Sequence, residues 1–564
     1  MAMRPNRFDL LVLLFFFALL ALVARIGHEA AAPLPPGGEI PISLDPRHLP
    51  EYALRSTFRM FAALGLSLLF TFTYAPLAAK TRLEPVLIAL LDVLQSVPIL
   101  GFLAFTVTFF VGLFPGRVLG FELASVFAVF TSQAWNMAFS LYQSLKTVPR
   151  DLDEAARLFG LSPWRRFWRL EVPFALPGLV WNTMMSVSGG WFFVVASEAI
   201  SVGRTEVDLP GIGSYVAKAI QEENLPAVLY ALLTMLLVIL LYDQLLFRPL
   251  VAWSERFKYE ERPSEEARSW VLDLFRRTRL LRRASAWLAE ALWEAAVRLE
   301  PLFRLEPLFR FPPLRAGRGL DYALYGGMAL VLLAGGHAFY LLVLKPLGLK
   351  EVVRVLFLGL FTLARVLVLL LLAGLVWVPV GIALGLRPSL AGRLQALAQF
   401  LAAFPANLLY PFFAYLMARY ALSPEVFTAP LMILGTQWYL LFNALAGGMA
   451  LPGDLREAAA NLGLRGLLLW RKLLLPGAFP YLVTGFITAS GGTWNASIVA
   501  EVVSWGGLTF KATGLGAYIA EWTGKGSPAH VLLGILVMSL YVVALNRILW
   551  RPLYAWAAER FRLG

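Results

Sequence analysis

Two glutamates, Glu154 and Glu457, each open the same phrase: E-A-A-x-x-x-G, then twelve residues, then Pro. The 24-residue segments EAARLFGLSPWRRFWRLEVPFALP (154–177) and EAAANLGLRGLLLWRKLLLPGAFP (457–480) align without a gap and share nine identities. Their residue types suit docking rather than bond-making. Asp151 with Glu154, and Asp454 with Glu457, have the spacing of a capping box, in which an N-cap acid is followed three residues on by a reciprocating Glu. Ala155, Ala156, Ala458 and Ala459 keep one helix surface small enough for another backbone to come close. Gly160 and Gly463 suit a left-handed helix stop. Ser162-Pro163 suits a restart, with Ser as cap and Pro at the first helical position. Each segment predicts a helix–turn–helix whose small-residue surface could enter a groove.

Other chemistries find little material. The 564 residues include no cysteine and four histidines. Disulfides, thiolate metal sites and cysteine nucleophiles are excluded, a metal centre has few ligands to draw on, and no catalytic cluster emerges, so the chain does not read as an enzyme. The phosphate-binding pattern G-x-x-x-x-G-K-[ST] is absent; TGKGS (523–527) lacks its first glycine. The chain is therefore not expected to hydrolyse ATP itself.

The elements that must position the two segments lie in a bilayer. The chain is 59% hydrophobic and 15% charged, with a mean hydropathy of +0.69. Soluble domains carry roughly 25% charged residues. Apolar runs long enough to cross, about 20 residues each, predict twelve spans. Six lie near 8–24, 57–79, 85–113, 118–145, 174–200 and 226–247. Six more lie near 320–343, 353–385, 394–417, 424–448, 477–503 and 530–550. The basic start MAMRPNR predicts a cytoplasmic amino terminus. Alternation then puts both E-A-A segments, with Arg157, Arg165, Arg166, Arg169, Arg465, Arg471 and Lys472, inside, and the carboxyl terminus too. The net charge of +13 thus reflects cytoplasmic loops, and no nucleic-acid partner is expected.

The halves repeat. LPGIGSYV (209–216) pairs with ATGLGAYI (512–519), Ser188 with Ser490, and Glu198 with Glu501. Both halves have six spans in the same orientation, a parallel repeat related by an axis along the membrane normal. The expected fold class is an all-α membrane protein of about twelve transmembrane helices in two six-helix repeats. The expected domains are 1–258 and 319–564, joined by a basic cytoplasmic linker at 259–318. The stretch SWVLDLFRRTRLLRRASAWLAEALW (269–293) suits a helix on an anionic lipid surface, or a plain spacer.

Both copies of the E-A-A-x-x-x-G…P pattern resemble the signature of permease subunits of type I ATP-binding-cassette importers. LDVLQSVPILGF (91–102), AAFPANLLYPF (402–412), VVASEAI (194–200) and SIVAEVV (497–503) look like the nitrate, sulfonate and taurine branch. The resemblance implies a MetI-like permease fold in a prokaryotic inner membrane. It implies that Glu154, Ala155, Ala156, Gly160, Glu457, Ala458, Ala459 and Gly463 form coupling helices that enter grooves in two cytoplasmic ATPase subunits. ATP and Mg would be bound by those subunits, with no cofactor in this chain. It also implies an extracytoplasmic solute-binding protein and a small solute, such as nitrate, sulfonate, taurine or bicarbonate.

Polar residues inside spans are costly and can mark a pathway. The candidates are Gln133, Asn136, Ser188, Ser197, Glu198, Gln437, Ser490, Asn495, Ser497 and Glu501, with Thr493 beside them. Interhelical packing accounts for such residues equally well. Arg59 and Arg365 could favour an anion or snorkel to the interface, and Asp92 could pair with a nearby base. A secondary transporter with two six-helix halves is the rival reading, but it gives no use for two E-A-A loops.

Overall fold

A computed structural model describes residues 40–257 and 318–560, apart from 82, 203 and 204, together with residues 24–29, 31–35, 270–277 and scattered positions elsewhere. Most of the expected span at 8–24, and most of the linker, fall outside the described residues. In the first half the helices are α1 (Leu49–Lys80), α2 (Glu84–Ser96), α3 (Leu103–Leu113), α4 (Val118–Lys146), α5 (Arg150–Leu158) and α6 (Pro163–Glu198). An antiparallel hairpin follows, β1 (Ala199–Val202) with β2 (Thr205–Asp208), then α7 (Ile212–Gln221) and α8 (Leu225–Ser254). Beyond a linker helix, α9 (Trp270–Arg277), the order recurs. It runs through α10 (Arg318–Phe339), α11 (Lys345–Gly385), α12 (Pro388–Ala403), α13 (Tyr410–Tyr420), α14 (Pro424–Ile433), α15 (Gln437–Met449), α16 (Gly453–Asn461) and α17 (Gly466–Ala500). The hairpin β3 (Val502–Trp505) with β4 (Leu508–Lys511) leads to α18 (Leu515–Lys525) and α19 (Pro528–Ala557).

Amphipathicity is inverted relative to a soluble protein. The buried positions of α1 include Ser56, Ala63, Ser67, Thr71, Ala75 and Ala78, while Leu54, Phe61, Leu66 and Leu69 are exposed. Small and polar residues at helix spacing let backbones approach, and lipid covers the large apolar side chains. α1 packs along α4 and α4 along α6; α11 along α15 and α15 along α17 repeat the arrangement. The approach is close where α11 meets α15: a Cβ on Gly385 would lie 2.4 Å from the Leu445 carbonyl oxygen.

Seven helices among the described residues are long and apolar enough to cross a bilayer, or up to nine if each of two bent pairs is one span. Three spans expected to be continuous are broken. The 85–113 run divides into α2 and α3 around Pro98. The 394–417 run bends by 71° at Pro405, and the 424–448 run by 41° before Gln437. Proline removes a helical N–H and disfavours helix at the preceding residue, and such irregular backbone survives at membrane depth only when covered by protein. The cover comes across the halves. Ile99 N–H donates to Asn495 Oδ1 on α17 at 2.7 Å, and Asn407 Nδ2 donates to the Phe192 carbonyl on α6 at 3.1 Å. The 53-residue run Leu333–Gly385 exceeds one crossing and breaks at Gly348, where φ is 79°.

Candidate functional site

The two E-A-A segments form helix–turn–helix loops at the same end of the molecule. α5 ends in a Schellman motif: Leu161 N–H reaches Ala156 O at 3.1 Å and Gly160 N–H reaches Arg157 O at 2.9 Å, with Gly160 at φ 70°. α16 ends alike, Leu464 on Ala459 at 2.9 Å and Gly463 on Ala460 at 3.0 Å, with Gly463 at φ 69°. Those glycines are the required left-handed residues. Ser162 caps the restart, accepting from Arg165 N–H at 3.3 Å.

The capping boxes are a correction. α5 starts at Arg150 and α16 at Gly453, so Pro149 and Pro452 are the N-caps and no side chain caps either helix. Proline carbonyls already accept the first helical bonds, from Asp153 and Arg456. Asp151 and Asp454 therefore lie inside the first turn, where acids still favour the helix dipole. The small face is also turned differently from expectation: Ala156 and Ala459 are buried, Ala155 is half-buried and Ala458 exposed. What projects is Glu154 and Glu457, followed by Leu158 (90% exposed) and Phe159 (85%) in one loop and Leu462 (77%) and Leu467 (86%) in the other.

The loops are held unequally. Asp153 pairs with Arg157 at 2.6 Å and Arg166 at 3.3 Å, and Arg456 replaces that acid in the second loop. Lys80 holds Glu171 at 2.5 Å. The Arg169 guanidinium lies 4.3 Å from the Trp293 ring centroid, tying the first loop to the linker.

At the opposite end, each half closes on a buried carboxylate. Glu198 and Arg59 are almost fully enclosed, their side chains 0% and 2% exposed. Glu198 accepts from Arg59 Nη1 at 2.7 Å, Ser56 Oγ at 2.5 Å and Gly213 N–H at 2.6 Å. The same guanidinium donates twice to Glu122, each at 2.7 Å. In the second half Glu501 accepts from Arg365 at 3.0 Å, Thr362 Oγ1 at 2.9 Å and Ala517 N–H at 3.0 Å. Arg365 also pairs with Glu425. The clamps bind the far ends of α6 and α17 to α1 and α11, and to α7 and α18. They explain the G-x-G segments. A Cβ on Gly211 would sit 2.3 Å from the Glu198 carboxyl carbon, and one on Gly514 would sit 2.3 Å from Glu501 Oε2.

Between the halves lies a cavity of about 80 Å³. α6 supplies Ser188 and Phe192, the break before α13 supplies Phe404, and Tyr410, Thr436 and Tyr439 complete the wall; no charged residue lines it. Of the pathway candidates, Ser188 reaches this cavity. The others bond between helices or locally. Gln133 accepts from Ser67 at 3.3 Å, Asn136 donates to Ser186 at 2.8 Å, and Ser197 bonds Ser125 at 2.7 Å. Gln437 accepts from Trp377 Nε1 at 3.0 Å, Asn495 holds Ile99, and Ser497 donates to Trp494 O at 2.7 Å. Thr493 bonds Thr436 at 2.8 Å, Ser490 is buried, and Glu198 and Glu501 belong to the clamps. Asp92 pairs with Arg551 across the halves. Sequence reasoning missed Glu122, Glu425, Ser56 and Thr362. The recurrence of Glu122 as Glu425 at the same offset as Glu198 and Glu501 was the available signal.

The family described as "binding-protein-dependent transport system inner membrane component" matches twice, over residues 63–247 and 377–551, well over half of the chain. A nitrate import permease protein of Leptolyngbya laminosa is 32% identical over 109 residues, 19% of this chain and 37% of that protein. A bicarbonate transport system permease protein of a Synechocystis strain is 29% identical over 121 residues, 22% of this chain and 41% of that protein. The taurine transport system permease protein of Escherichia coli is 30% identical over 203 residues, 35% of this chain and 70% of that protein. The chain thus spans about four-tenths of the length of the nitrate and bicarbonate relatives.

Proposed function

The chain belongs to the family of inner membrane components of binding-protein-dependent transport systems, and from that premise we propose that it is the whole transmembrane permease of an ATP-binding-cassette importer, two units fused in one polypeptide. The loops of α5 and α16 are its coupling helices, each received by one of two ATPase subunits on the cytoplasmic face. ATP and Mg are bound by those subunits. Both termini are cytoplasmic, the membrane is a prokaryotic inner membrane, and the hairpin end faces outward.

The observation that carries this reading is the pair of matched loops, each presenting an exposed glutamate and large exposed apolar side chains at one end of the molecule. Exposed Leu and Phe beside charge suit a partner surface. ATP-driven closure of the ATPases would move the loops, and α6 and α17 would carry the movement to the cavity they line. A ligand shifts such an equilibrium only by its differential affinity for the two states, which two separate docking sites supply.

We infer that the solute is a small anion of the nitrate, bicarbonate or sulfonate kind, by analogy with the relatives. The cavity has no cation to hold one. Selection therefore falls to an extracytoplasmic solute-binding protein, and the cavity acts as a closed gate.

The test is uptake into proteoliposomes containing the chain and its ATPases. Replacing Glu154 and Glu457 together by Ala should leave the complex assembled and abolish ATP-driven uptake. Uptake that survives the double replacement overturns the coupling role.

A further inference from the structure

The two halves carry opposite charges at matched positions of their outer segments. Asp208 corresponds to Lys511, Lys218 to Glu521 and Glu222 to Lys525, all at the repeat offset. The structure makes the correspondences equivalent. Asp208 ends β2 opposite Ala199, and Lys511 ends β4 opposite Val502. Lys218 and Glu521 lie near the ends of α7 and α18, and Glu222 and Lys525 lie one turn further on.

Each set is complementary within itself. Lys218 Nζ lies 3.8 Å from Glu222, and Glu521 pairs with both Lys511 and Lys525. The Lys511 and Lys525 ammoniums hold the Glu521 carboxyl below the usual carboxylate range. The ion pairs would be met with either polarity, but Lys218 also donates to the Ile42 carbonyl at 2.7 Å and the Lys525 ammonium lies 4.6 Å from the Trp522 ring centroid, so Glu222 and Lys511 are the positions whose sign these contacts leave open. The surroundings extend the difference. Residues 199–226 hold four acids and two bases, whereas 502–529 hold two lysines and one glutamate. Glu223 is exposed in the first half; Lys345 and Lys350 are exposed at the start of α11 in the second.

Three of the six charges are exposed and the other three half-buried. Side chains of Glu222, Lys511 and Lys525 are 53%, 47% and 53% exposed. Gly506, in the turn between β3 and β4, donates its N–H to the Ile220 carbonyl of α7 at 2.9 Å. The second half's hairpin therefore rests on the acidic end of the first half's helix.

We propose that this outer face is an electrostatically polar dock that accepts a two-lobed solute-binding protein in one orientation only. The acidic first half receives a lobe with a basic rim, and the basic second half receives a lobe with an acidic rim. The proposal rests on the importer reading above. Two identical halves would present the same potential to both lobes and permit two dockings. With the signs inverted, the reversed docking sets like charges against each other, which suppresses it, while the matched docking is steered. Rim charges of this kind act mainly on association rate and its salt dependence.

The experiment uses the full transporter with its ATPases in nanodiscs and the purified solute-binding protein that stimulates its ATP hydrolysis. A photo-reactive phenylalanine derivative replaces Gln221 or Gly524, a neutral exposed pair at matched positions. Crosslinks from position 221 should map to one lobe and those from 524 to the other. Inverting all six charges, which keeps the pairs of Lys218 with Glu222 and of Glu521 with Lys511 and Lys525 but gives up the Lys218 bond to the Ile42 carbonyl and the Lys525 contact with the Trp522 ring, should exchange the lobes. Making the halves alike with Asp208→Lys, Lys218→Glu and Glu222→Lys should scramble the crosslinks and slow association roughly tenfold at low ionic strength. Mixed crosslinks in the unaltered protein, or a pattern unmoved by the six-fold inversion, overturn the orientation while binding-protein-dependent uptake stands. Uptake that needs no binding protein overturns both this proposal and the importer reading.

Discussion

Replacing Arg59 by Met tests whether the first half's clamp is a closed charge system. The guanidinium serves two carboxylates, Glu198, which is fully buried, and Glu122, whose side chain is 12% exposed. Without it Glu198 keeps Ser56 and the Gly213 N–H, but its charge and that of Glu122 lose their counterion. Breaking a buried pair by removing one partner costs about 3–5 kcal/mol, and R59M should fall in that range. Arg365→Met should cost less, at the low end of about 3–5 kcal/mol, because Glu425 is 47% exposed and water can take over its charge. The decisive variant is R59M/E122Q/E198Q. Hydrophobic residues of similar volume in place of a buried ionic cluster are often neutral in stability; Gln keeps the volume without the charge and its amide can accept from the Gly213 N–H and donate to Ser56 Oγ, so the triple variant should recover most of what R59M loses. Thermal unfolding in detergent, followed by tryptophan fluorescence and size-exclusion profile, ranks the four proteins. A triple variant as unstable as R59M would refute the reasoning. So would an R59M within about 1 kcal/mol of the parent, well below the range for a broken buried pair.

Two further outcomes follow from the packing. Gly213→Ala would set a Cβ 2.1 Å from the Val195 carbonyl oxygen and Gly516→Ala one 2.4 Å from the Ser497 carbonyl carbon, whereas Gly491 has open space; folded yield should collapse for the first two and hold for Gly491→Ala, and equal yields would show that the clamp can open to admit a methyl. Asn495→Ala strands the Ile99 N–H at the contact between halves, so stability should fall by about 1–3 kcal/mol in the same unfolding assay.

The E-A-A loops were legible because their grammar is local. Gly160 and Gly463 must be left-handed where a helix stops and a side chain cannot follow, and Ser162-Pro163 can restart a helix with no help from elsewhere. The capping boxes misled for an equally local reason. Pro149 and Pro452 cap each helix two residues before the expected acids, and a proline's effect outranks an acid's hydrogen bond. The broken spans could not be read from hydropathy, which reports the thickness crossed and not the path taken. Pro98 and Pro405 were visible, but a proline within an apolar run predicts a break only when another chain segment covers the exposed backbone. Here the cover comes from Asn495 and from Phe192, each in the opposite half. The clamps show the same limit. Arg59 and Glu198 were each visible as costly charges in a span, yet their pairing depends on how α1, α4 and α6 come together.

Fusion gives the molecule a freedom that an assembly of two identical chains lacks. In such an assembly Asp208 and Lys511 would be the same residue, and a charge favourable to one lobe of a partner would be unfavourable under the other. One polypeptide with two separately encoded halves can set each position on its own. The E-A-A end uses the same freedom: Arg169 stacks on Trp293 of the linker, whereas its counterpart is Lys472. The clamps, which need only close each half, keep their chemistry on both sides, Arg59 with Glu122 and Glu198, Arg365 with Glu425 and Glu501. Conformity inside and divergence at both faces is the pattern expected if packing constrains the halves equally while their partners do not. On that argument the signs of Glu222 and Lys511 should be judged by what approaches their face, since the only polar contacts of their side chains among the described residues are ion pairs that either polarity would satisfy.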